Sequence, residues 1–230
     1  TVSVIDGDTN TVVSTISVES SPAGVGVNSS TNRIYVANFS SGTVSVIEDA
    51  PTANPTPSVI STIPVESGPY GVGVNASTNR IYVANGNSNT VSVIDGDTNT
   101  VVSTIPVESS PERVGVNSST NRIYVTNSGS GTVSVIDGDT NTVVSIILVE
   151  SYPSGVGVNS STNRIYVANF SSGTVSVIDG DTNTVASTIP VQSSPNGVGV
   201  NSSTNRIYVV TSDSGTVSVI DGDTNAVVSI

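Results

Sequence analysis

Short runs of alternating apolar and polar residues follow one another along the whole chain, without the spacing of a helix. In TVSVI at residues 43–47, Val44 and Val46 fall on one face and Ser45 on the other, as in a half-buried strand. Val, Ile and Thr dominate these runs, and such side chains favour extended backbone. Gly, Asn, Asp, Ser and Pro separate the runs and indicate turns. The pattern predicts an all-β protein.

The same pattern returns at a nearly fixed interval. TVSVI begins at Thr1, Thr43, Thr90, Thr132, Thr174 and Thr216, which are 42, 47, 42, 42 and 42 residues apart. Each period holds four strand-like runs, which we name A to D and which first appear complete as GVGVN (24–28), RIYVA (33–37), TVSVI (43–47) and SVIST (58–62). Residues 48–58 (EDAPTANPTPS) make one period longer. A four-stranded repeat of this length is typical of a β-propeller blade, whereas a β-solenoid usually has a shorter period.

The repeat predicts one β-propeller domain over residues 1–230, in which a C–D hairpin at 1–16 precedes five blades. The predicted blades span residues 17–63, 64–105, 106–147, 148–189 and 190–230. Six blade positions are favoured, with five or seven as alternatives. The inner strands of the half-built blade would follow residue 230 or come from a neighbouring molecule. Alternating Gly and Val in the A run indicate close backbone approach at an innermost strand, and antiparallel pairing places the A–B and C–D loops at one end of each blade.

Composition narrows the range of partners. The chain has 18 acidic residues against 6 basic ones, a net charge of −12, no His and no Cys. Such a charge disfavours nucleic acid and anionic membranes as partners, and thiol chemistry is excluded. No apolar run reaches membrane-spanning length, so membrane insertion is not expected. Because the chain begins at Thr1 without an initiator Met, we expect a processed chain or a piece of a longer one.

The motif DGDTN resembles the first half of a calcium-binding loop, because Asp, Asp and Asn at alternate positions can supply oxygen ligands. No Gly stands at its sixth position and no Glu at its twelfth, where Thr11 and Ser17 occur in the first copy. A tight C–D turn is therefore favoured over a bound cation. The calcium candidates are Asp6, Asp8, Asn10, Asp95, Asp97, Asn99, Asp137, Asp139, Asn141, Asp179, Asp181, Asn183, Asp221, Asp223 and Asn225.

Seven N-x-S/T sequons are candidates for glycosylation, and all are expected on surface loops. Polar turn chemistry explains the same residues equally well, and copying of the repeat multiplies them. Five lie between strands A and B and two between strands B and C. They are Asn28, Asn75, Asn117, Asn159 and Asn201, and Asn38 and Asn169.

Charged residues also recur once per blade. An Arg opens each B strand and a Glu lies in most D–A loops, so rings of inter-blade ion pairs could form. Because exposed pairs of this kind contribute little stability, we interpret these residues as register and solubility devices. Glu112 and Arg113 are the charges peculiar to one blade. With no His, Cys or Lys and no unique pair of carboxylates, general acid–base or nucleophilic catalysis has few candidates. The Arg set is Arg33, Arg80, Arg122, Arg164 and Arg206, and the Glu set is Glu19, Glu66, Glu108 and Glu150.

Residues 124–127 read YVTN, and YVAN stands at 35–38, 82–85 and 166–169. Together with PxGVGV, NRIYV and GTVSVID in that order, the chain resembles the YVTN family of β-propeller repeats, which occurs in archaeal and bacterial surface-layer and other extracellular proteins. Residues 208–211 read YVVT and depart from the motif. The resemblance covers the whole chain and implies a propeller fold and an extracellular, cell-surface setting. It implies no cofactor and no particular activity.

The near-identity of the copies favours a structural role over a catalytic one. We therefore expect a non-catalytic structural or adhesive module, a building block of a surface layer, stalk or filament that associates with itself or with other cell-surface proteins and glycans. The alternative is a propeller that binds a glycan or a protein on one face. An enzyme of lactonase-like or quinoprotein-like type is the third possibility.

Overall fold

The computed structural model describes residues 1–48 and 57–230, and the regular structure within them is entirely β. Most of the long loop expected at residues 48–58 lies outside the described residues. By compactness the chain divides into two units, Thr1–Thr104 and Ile105–Ile230. Each unit is built from the repeat in the order that the sequence predicts.

The first unit contains a C–D hairpin and two four-stranded blades. The hairpin consists of β1 (Val2–Asp6) and β2 (Thr11–Ile16). Blade one consists of β3 (Pro22–Asn28), β4 (Arg33–Asn38), β5 (Thr43–Glu48) and β6 (Ser58–Pro64). Blade two consists of β7 (Pro69–Asn75), β8 (Arg80–Asn85), β9 (Thr90–Asp95) and β10 (Thr100–Pro106), the last of which ends just past the unit boundary.

The second unit contains three further blades. Blade three consists of β11 (Pro111–Asn117), β12 (Arg122–Asn127), β13 (Thr132–Asp137) and β14 (Thr142–Leu148). Blade four consists of β15 (Pro153–Asn159), β16 (Arg164–Asn169), β17 (Thr174–Asp179) and β18 (Thr184–Pro190). Blade five consists of β19 (Pro195–Asn201), β20 (Arg206–Thr211), β21 (Thr216–Asp221) and β22 (Ala226–Ser229).

Within each blade the strands are neighbours in sequence order, so every sheet is an A–B–C–D meander. The antiparallel ladders of blade three pair Asn117 with Arg122 and Arg122 with Asp137. The A–B and C–D turns therefore lie at the same end of the blade, which confirms the sequence prediction. We call this the acidic end, because the DGDTN turns lie there. The predicted fold class, a β-propeller of four-stranded antiparallel blades, is confirmed.

Each blade has two apolar faces, and consecutive blades within a unit pack face to face. We call the face toward the next blade in sequence the forward face and the other the backward face. In blade three, Tyr124, Val133 and Val135 form the forward face and are fully buried against Ile165 and Val167 on the backward face of blade four. Blades four and five repeat this packing, as do blades one and two. A complete blade therefore needs a neighbour on each side to bury its apolar residues.

The glycines of strand A give the blades room to approach. A Cβ on Gly155 would lie 2.2 Å from the carbonyl oxygen of Asn196, and one on Gly157 would lie 2.7 Å from Cγ1 of Val198. Both distances are too short for real carbon contacts, so only Gly fits where strand A of blade four meets strand A of blade five. The close approach predicted from the GVGV runs is confirmed.

The N-terminal hairpin packs against blade one as a complete blade would, but it consists only of the two outer strands, C and D. Val2, Val4 and Ile16 pack against Val36 and Ile47 on the backward face of blade one. These three side chains occupy the places that the C and D strands fill in the complete blades. The hairpin therefore covers only the outer half of the backward face of blade one.

Candidate functional site

The DGDTN motif forms the tight turn that joins strands C and D. In blade three, Oδ1 of Asp137 accepts hydrogen bonds from the backbone N–H groups of Asp139 (2.8 Å) and Thr140 (3.0 Å). Asn141 has a φ of 54°, a left-handed conformation that Asn tolerates well. The first Asp and the Asn of the motif are thus used by the turn itself, as the favoured interpretation predicted.

The second oxygen of the same Asp pairs with the Arg that opens strand B of the same blade. In blade three, a guanidinium nitrogen of Arg122 lies 2.5 Å from Oδ2 of Asp137. The backbone N–H groups of Thr140 and Asp139, and then Arg122, hold the pKa of Asp137 below its usual value. The equivalent ion pairs are Arg80–Asp95, Arg164–Asp179 and Arg206–Asp221. These four Arg residues therefore pair with an Asp of their own blade, and not in the inter-blade ion pairs with Glu that the sequence left open.

Blade one is the exception, because Glu48 stands where the other complete blades have Asp. Arg33 is opposite Glu48 in the ladder, yet its guanidinium donates a hydrogen bond to the carbonyl oxygen of Gly96 in blade two. The longer Glu side chain replaces the Asp that closes the turn elsewhere. In blade one the Arg consequently links two blades instead of closing its own.

Asn side chains tie consecutive blades together at the acidic end. Nδ2 of Asn159, the last residue of β15, donates to Oδ1 of Asn205 in the A–B turn of blade five at 2.8 Å. Nδ2 of Asn205 in turn donates to Oδ1 of Asp223 at 2.8 Å. Oδ1 of Asn159 accepts the N–H of Ser161 and so shapes its own turn. The same relay runs through Asn117, Asn163 and Asp181, and through Asn28, Asn79 and Asp97.

The expectation that all seven sequons lie on exposed loops is wrong for six of them. The six Asn residues end strand A or strand B, and their side chains are fully buried. Those of strand B hold the start of strand C: in blade one, Nδ2 of Asn38 donates to Oγ1 of Thr43 and Oγ of Ser45. A glycan on a fully buried amide nitrogen does not fit the folded blade. The six are Asn28, Asn38, Asn75, Asn117, Asn159 and Asn169. Asn201 is exposed and remains a glycosylation candidate.

The calcium hypothesis meets a competing use of the same oxygens. In blade three, Asp137 is held by its turn and by Arg122, and Asp139 accepts a 2.8 Å hydrogen bond from Nδ2 of Asn121. Within residues 1–48 and 57–230, no group of three or more His, Cys, Asp or Glu side chains is placed to hold a metal ion. The geometry assigns the two Asp side chains of this motif to hydrogen bonding, whereas Oδ1 of Asn141 is buried without a hydrogen-bond partner. Calcium binding remains an untested prediction.

The opposite end of the blades, formed by the B–C and D–A loops, carries two aromatic pairs among the described residues. In the first unit, Phe39 meets Tyr70 edge to face, with ring centroids 6.2 Å apart. In the second unit, Tyr152 and Phe170 lie 5.9 Å apart, and Tyr152 is 48% exposed. Exposed aromatic faces can pack against the apolar faces of ligands. The two ends of a blade therefore differ in chemistry, one acidic and amide-rich and the other partly aromatic.

Glu112 and Arg113 mark blade three as different. Arg113 stands where the other A strands have Gly, and its backbone N–H donates to Oγ1 of Thr126 at 3.0 Å. Thr126 itself replaces the Ala of the YVAN motif, so two departures from the repeat are joined by one hydrogen bond. Burial raises the pKa of the half-buried Glu112 carboxyl, and neighbouring Arg113 partly offsets this. These contacts accommodate a local change in strand A.

No protein-family model matches the sequence, and no curated protein matches it. Among solved structures, a functionally unknown protein from Desulfotomaculum acetoxidans DSM 771 is similar with a TM-score of 0.82 at 18% identity, over 94% of this chain and 70% of that chain. Hydrazine synthase from Kuenenia stuttgartiensis is similar with a TM-score of 0.73 at 18% identity, over 87% of this chain and 66% of that chain. At this identity the similarity shows the fold alone. The fold is shared by 1388 chains, so it does not indicate an activity.

No helix that could cross a membrane occurs in the described residues.

Proposed function

We propose that the protein is an extracellular, non-catalytic building block of a cell-surface layer, stalk or filament, of the YVTN surface-layer type. The observation that carries this proposal is the use of the repeated polar groups. In blade after blade, the same Asn, Asp and Arg side chains bind the next blade or close their own turn, as Asn159 does with Asn205. The repeated side chains therefore hold the blades in a regular arrangement.

The charge pattern supports the same function. The Asp residues that recur are engaged by backbone N–H groups and by Arg, as Asp179 is by Thr182 and Arg164. A catalytic site needs polar residues that differ from blade to blade and converge on one point. The described blades instead present copies of one arrangement, and no cofactor is needed for a structural role.

Immunogold electron microscopy of intact cells that produce the protein tests the proposed location. We expect antibodies against the acidic-end turns to label the outer surface of unpermeabilised cells. Labelling that appears only after the cells are opened would contradict the proposal. Assays for lactone hydrolysis and quinone-dependent oxidation address the enzyme alternative, and we expect no turnover above background.

The alternative function, binding of a glycan or a protein, is favoured by the aromatic end of blade four. Tyr152 is half exposed beside Phe170, and stacking on such rings is a common way to hold an apolar sugar face. A glycan array probed with the wild-type chain and with Tyr152→Ala tests this. Binding that is lost in the variant would favour the receptor function over the building block.

A further inference from the structure

Strand β14, the outermost strand of blade three, departs from the repeat at its exposed positions. Ile146 is 53% exposed, Leu148 is 75% exposed, and Val144 on the same side of the strand is 50% exposed. Ile147, on the other side, is buried in the core that blades three and four share. Strand D of blades one, two and four has Thr and Pro in place of Ile146 and Leu148. These counterparts are Thr62 and Pro64, Thr104 and Pro106, and Thr188 and Pro190.

The backbone of β14 is also open along its outer edge. Among the described strands, β14 is hydrogen-bonded to β13 alone, so it ends its sheet. The N–H of Val149 points inward and donates to the carbonyl oxygen of Gly131 in the same blade. Successive N–H groups of a strand point to opposite edges, so those of Ile146 and Leu148 point outward. An outer edge of this kind can pair with a further strand.

Other blades close this edge with Pro. Pro190 faces Thr174 in the ladder of blade four, as Leu148 faces Thr132 in blade three. Pro has no N–H, and at the edge of a sheet it hinders the pairing of a further strand. Leu148 restores the outward donor that Pro removes. Blade three thus has an unblocked edge and an apolar stripe along it.

The chemistry of β14 points to a second copy of the same strand as its partner. The segment VVSIIL at residues 143–148 is rich in Val and Ile and has no charge, Pro or Gly, which is the composition of segments that pair with identical segments. Two chains of net charge −12 repel each other, so a contact between them favours a strand without charged side chains. Antiparallel pairing about Ile147 brings Ile146 of each copy opposite Leu148 of the other.

We propose that β14 pairs antiparallel with β14 of a second copy, with Ile146 opposite Leu148 in both halves of the contact. Each Ile146–Leu148 pair exchanges two backbone hydrogen bonds, because both N–H groups point to the shared edge. The four side chains lie on one face of the joined sheet and shield one another from water. The two Glu150 carboxylates lie about 20 Å apart along the strands, beyond the screening length of about 8 Å.

The pairing stands on the edge and the stripe of β14, whereas its use in a surface layer rests on the proposed function. A two-fold contact closes after two copies, so the pair is the unit from which a layer or filament would be assembled. A paired protein that is absent from the cell surface would overturn the function and leave this inference. A surface-labelled protein that stays monomeric would do the reverse.

Sedimentation equilibrium of the intact chain tests the proposal. We expect a reversible equilibrium between monomer and dimer in the wild type. Ile146→Thr with Leu148→Pro should raise the dimer dissociation constant roughly tenfold or more, because it removes an outward N–H and two apolar side chains from each copy. Blade four carries the same two residue types, as Thr188 and Pro190, at the equivalent places in its ladder, so the double variant fits the fold.

Val102→Thr is the matched control, because Val102 is 50% exposed on β10, which ends in Pro106. The dissociation constant of this variant should equal that of the wild type. In the converse experiment, Thr188→Ile with Pro190→Leu gives the outer strand of blade four the same open edge. Assemblies larger than a dimer should then form.

Pulsed electron–electron double resonance measures the orientation of the pair. The chain has no Cys, so Thr142→Cys carries a single spin label beside the contact. Antiparallel pairing about Ile147 separates the two labels by ten residues, or about 30–40 Å, whereas parallel pairing would bring them within about 20 Å.

Three results would overturn the proposal: a chain that stays monomeric at millimolar concentration, association that the double variant at Ile146 and Leu148 leaves unchanged, or a short distance between the labels. Association of β14 with a different protein, without pairing of two copies, would also overturn it, in favour of an edge that receives a foreign strand.

Discussion

Nδ2 of Asn159 in blade four donates a 2.8 Å hydrogen bond to Oδ1 of Asn205 in blade five. The bond joins two blades through residues that are 46 positions apart in the sequence. Both side chains begin or end the NSSTN turn, so every repeat carries both halves of the contact. Asn159 is fully buried, and its other amide atom shapes its own turn. The residue that sequence reasoning singled out as a glycan acceptor is a structural tie.

Asn159→Ala should therefore destabilise the second unit more than Asn201→Ala. Both side chains accept a hydrogen bond from a turn N–H, at Ser161 and Ser203, so the pair differs mainly in the bond between blades. We expect Asn159→Ala to cost about 1–3 kcal/mol, and Asn201→Ala less than about 1 kcal/mol. Urea unfolding followed by circular dichroism measures both. Equal losses would show that the bond to Asn205 adds no stability.

Gly157→Val and Gly199→Val make a second matched pair, in which the same change meets a filled and an empty space. A Cβ at residue 157 would overlap Val198 and Val200, so we expect a loss of about 1–3 kcal/mol or more. At residue 199 the Cβ has open space, and we expect a change within about 0.5 kcal/mol. Thermal melts of the two variants decide the matter. A stable Gly157→Val protein would contradict the close approach of the two A strands.

Acid should destabilise the protein through the first Asp of each DGDTN turn. The N–H groups of Thr140 and Asp139, together with Arg122, lower the pKa of Asp137 below 3.8 in the folded state. A lowered pKa contributes stability that is complete above the unfolded value and is lost as the pH falls through the folded value. Urea midpoints should therefore decline below about pH 4. Asp137→Asn should show a shallower decline, and an unchanged decline would mean that this carboxylate does not drive it.

Calcium should leave the melting temperature unchanged. The first Asp of each of these turns accepts backbone hydrogen bonds, as Asp221 does from Asp223 and Thr224. A ligand that binds only the folded state raises its stability by mass action. We expect melts in millimolar calcium and in excess chelator to agree within about 1 °C. A rise of several degrees with calcium would show that the loops bind the ion despite their internal hydrogen bonds.

The strands and their order could be predicted because the same pattern of alternating apolar residues and turn residues recurs in every repeat. Alternation in TVSVI fixes the C strand, and the glycines of GVGV indicate close approach, which Gly155 and Gly157 show. The roles of the Asn residues could not be predicted in this way. NSS is both a sequon and a polar turn, and only the position of the next blade shows that Asn159 is buried against Asn205.

The partners of the charged residues were missed for a similar reason. Arg122 could pair with a Glu or with an Asp of its blade, and strand register decides in favour of Asp137. One signal was available: the last residue of strand C lies directly opposite the first residue of strand B in any hairpin of this register. The link between Arg113 and Thr126 needed the ladder as well, although both residues depart from the repeat in the same blade.

Cryo-electron microscopy of envelope material from cells that produce the protein tests the central claim most directly. The account predicts an ordered polymer that is labelled by antibodies against this chain. Isolated, unassembled particles in native material would contradict it.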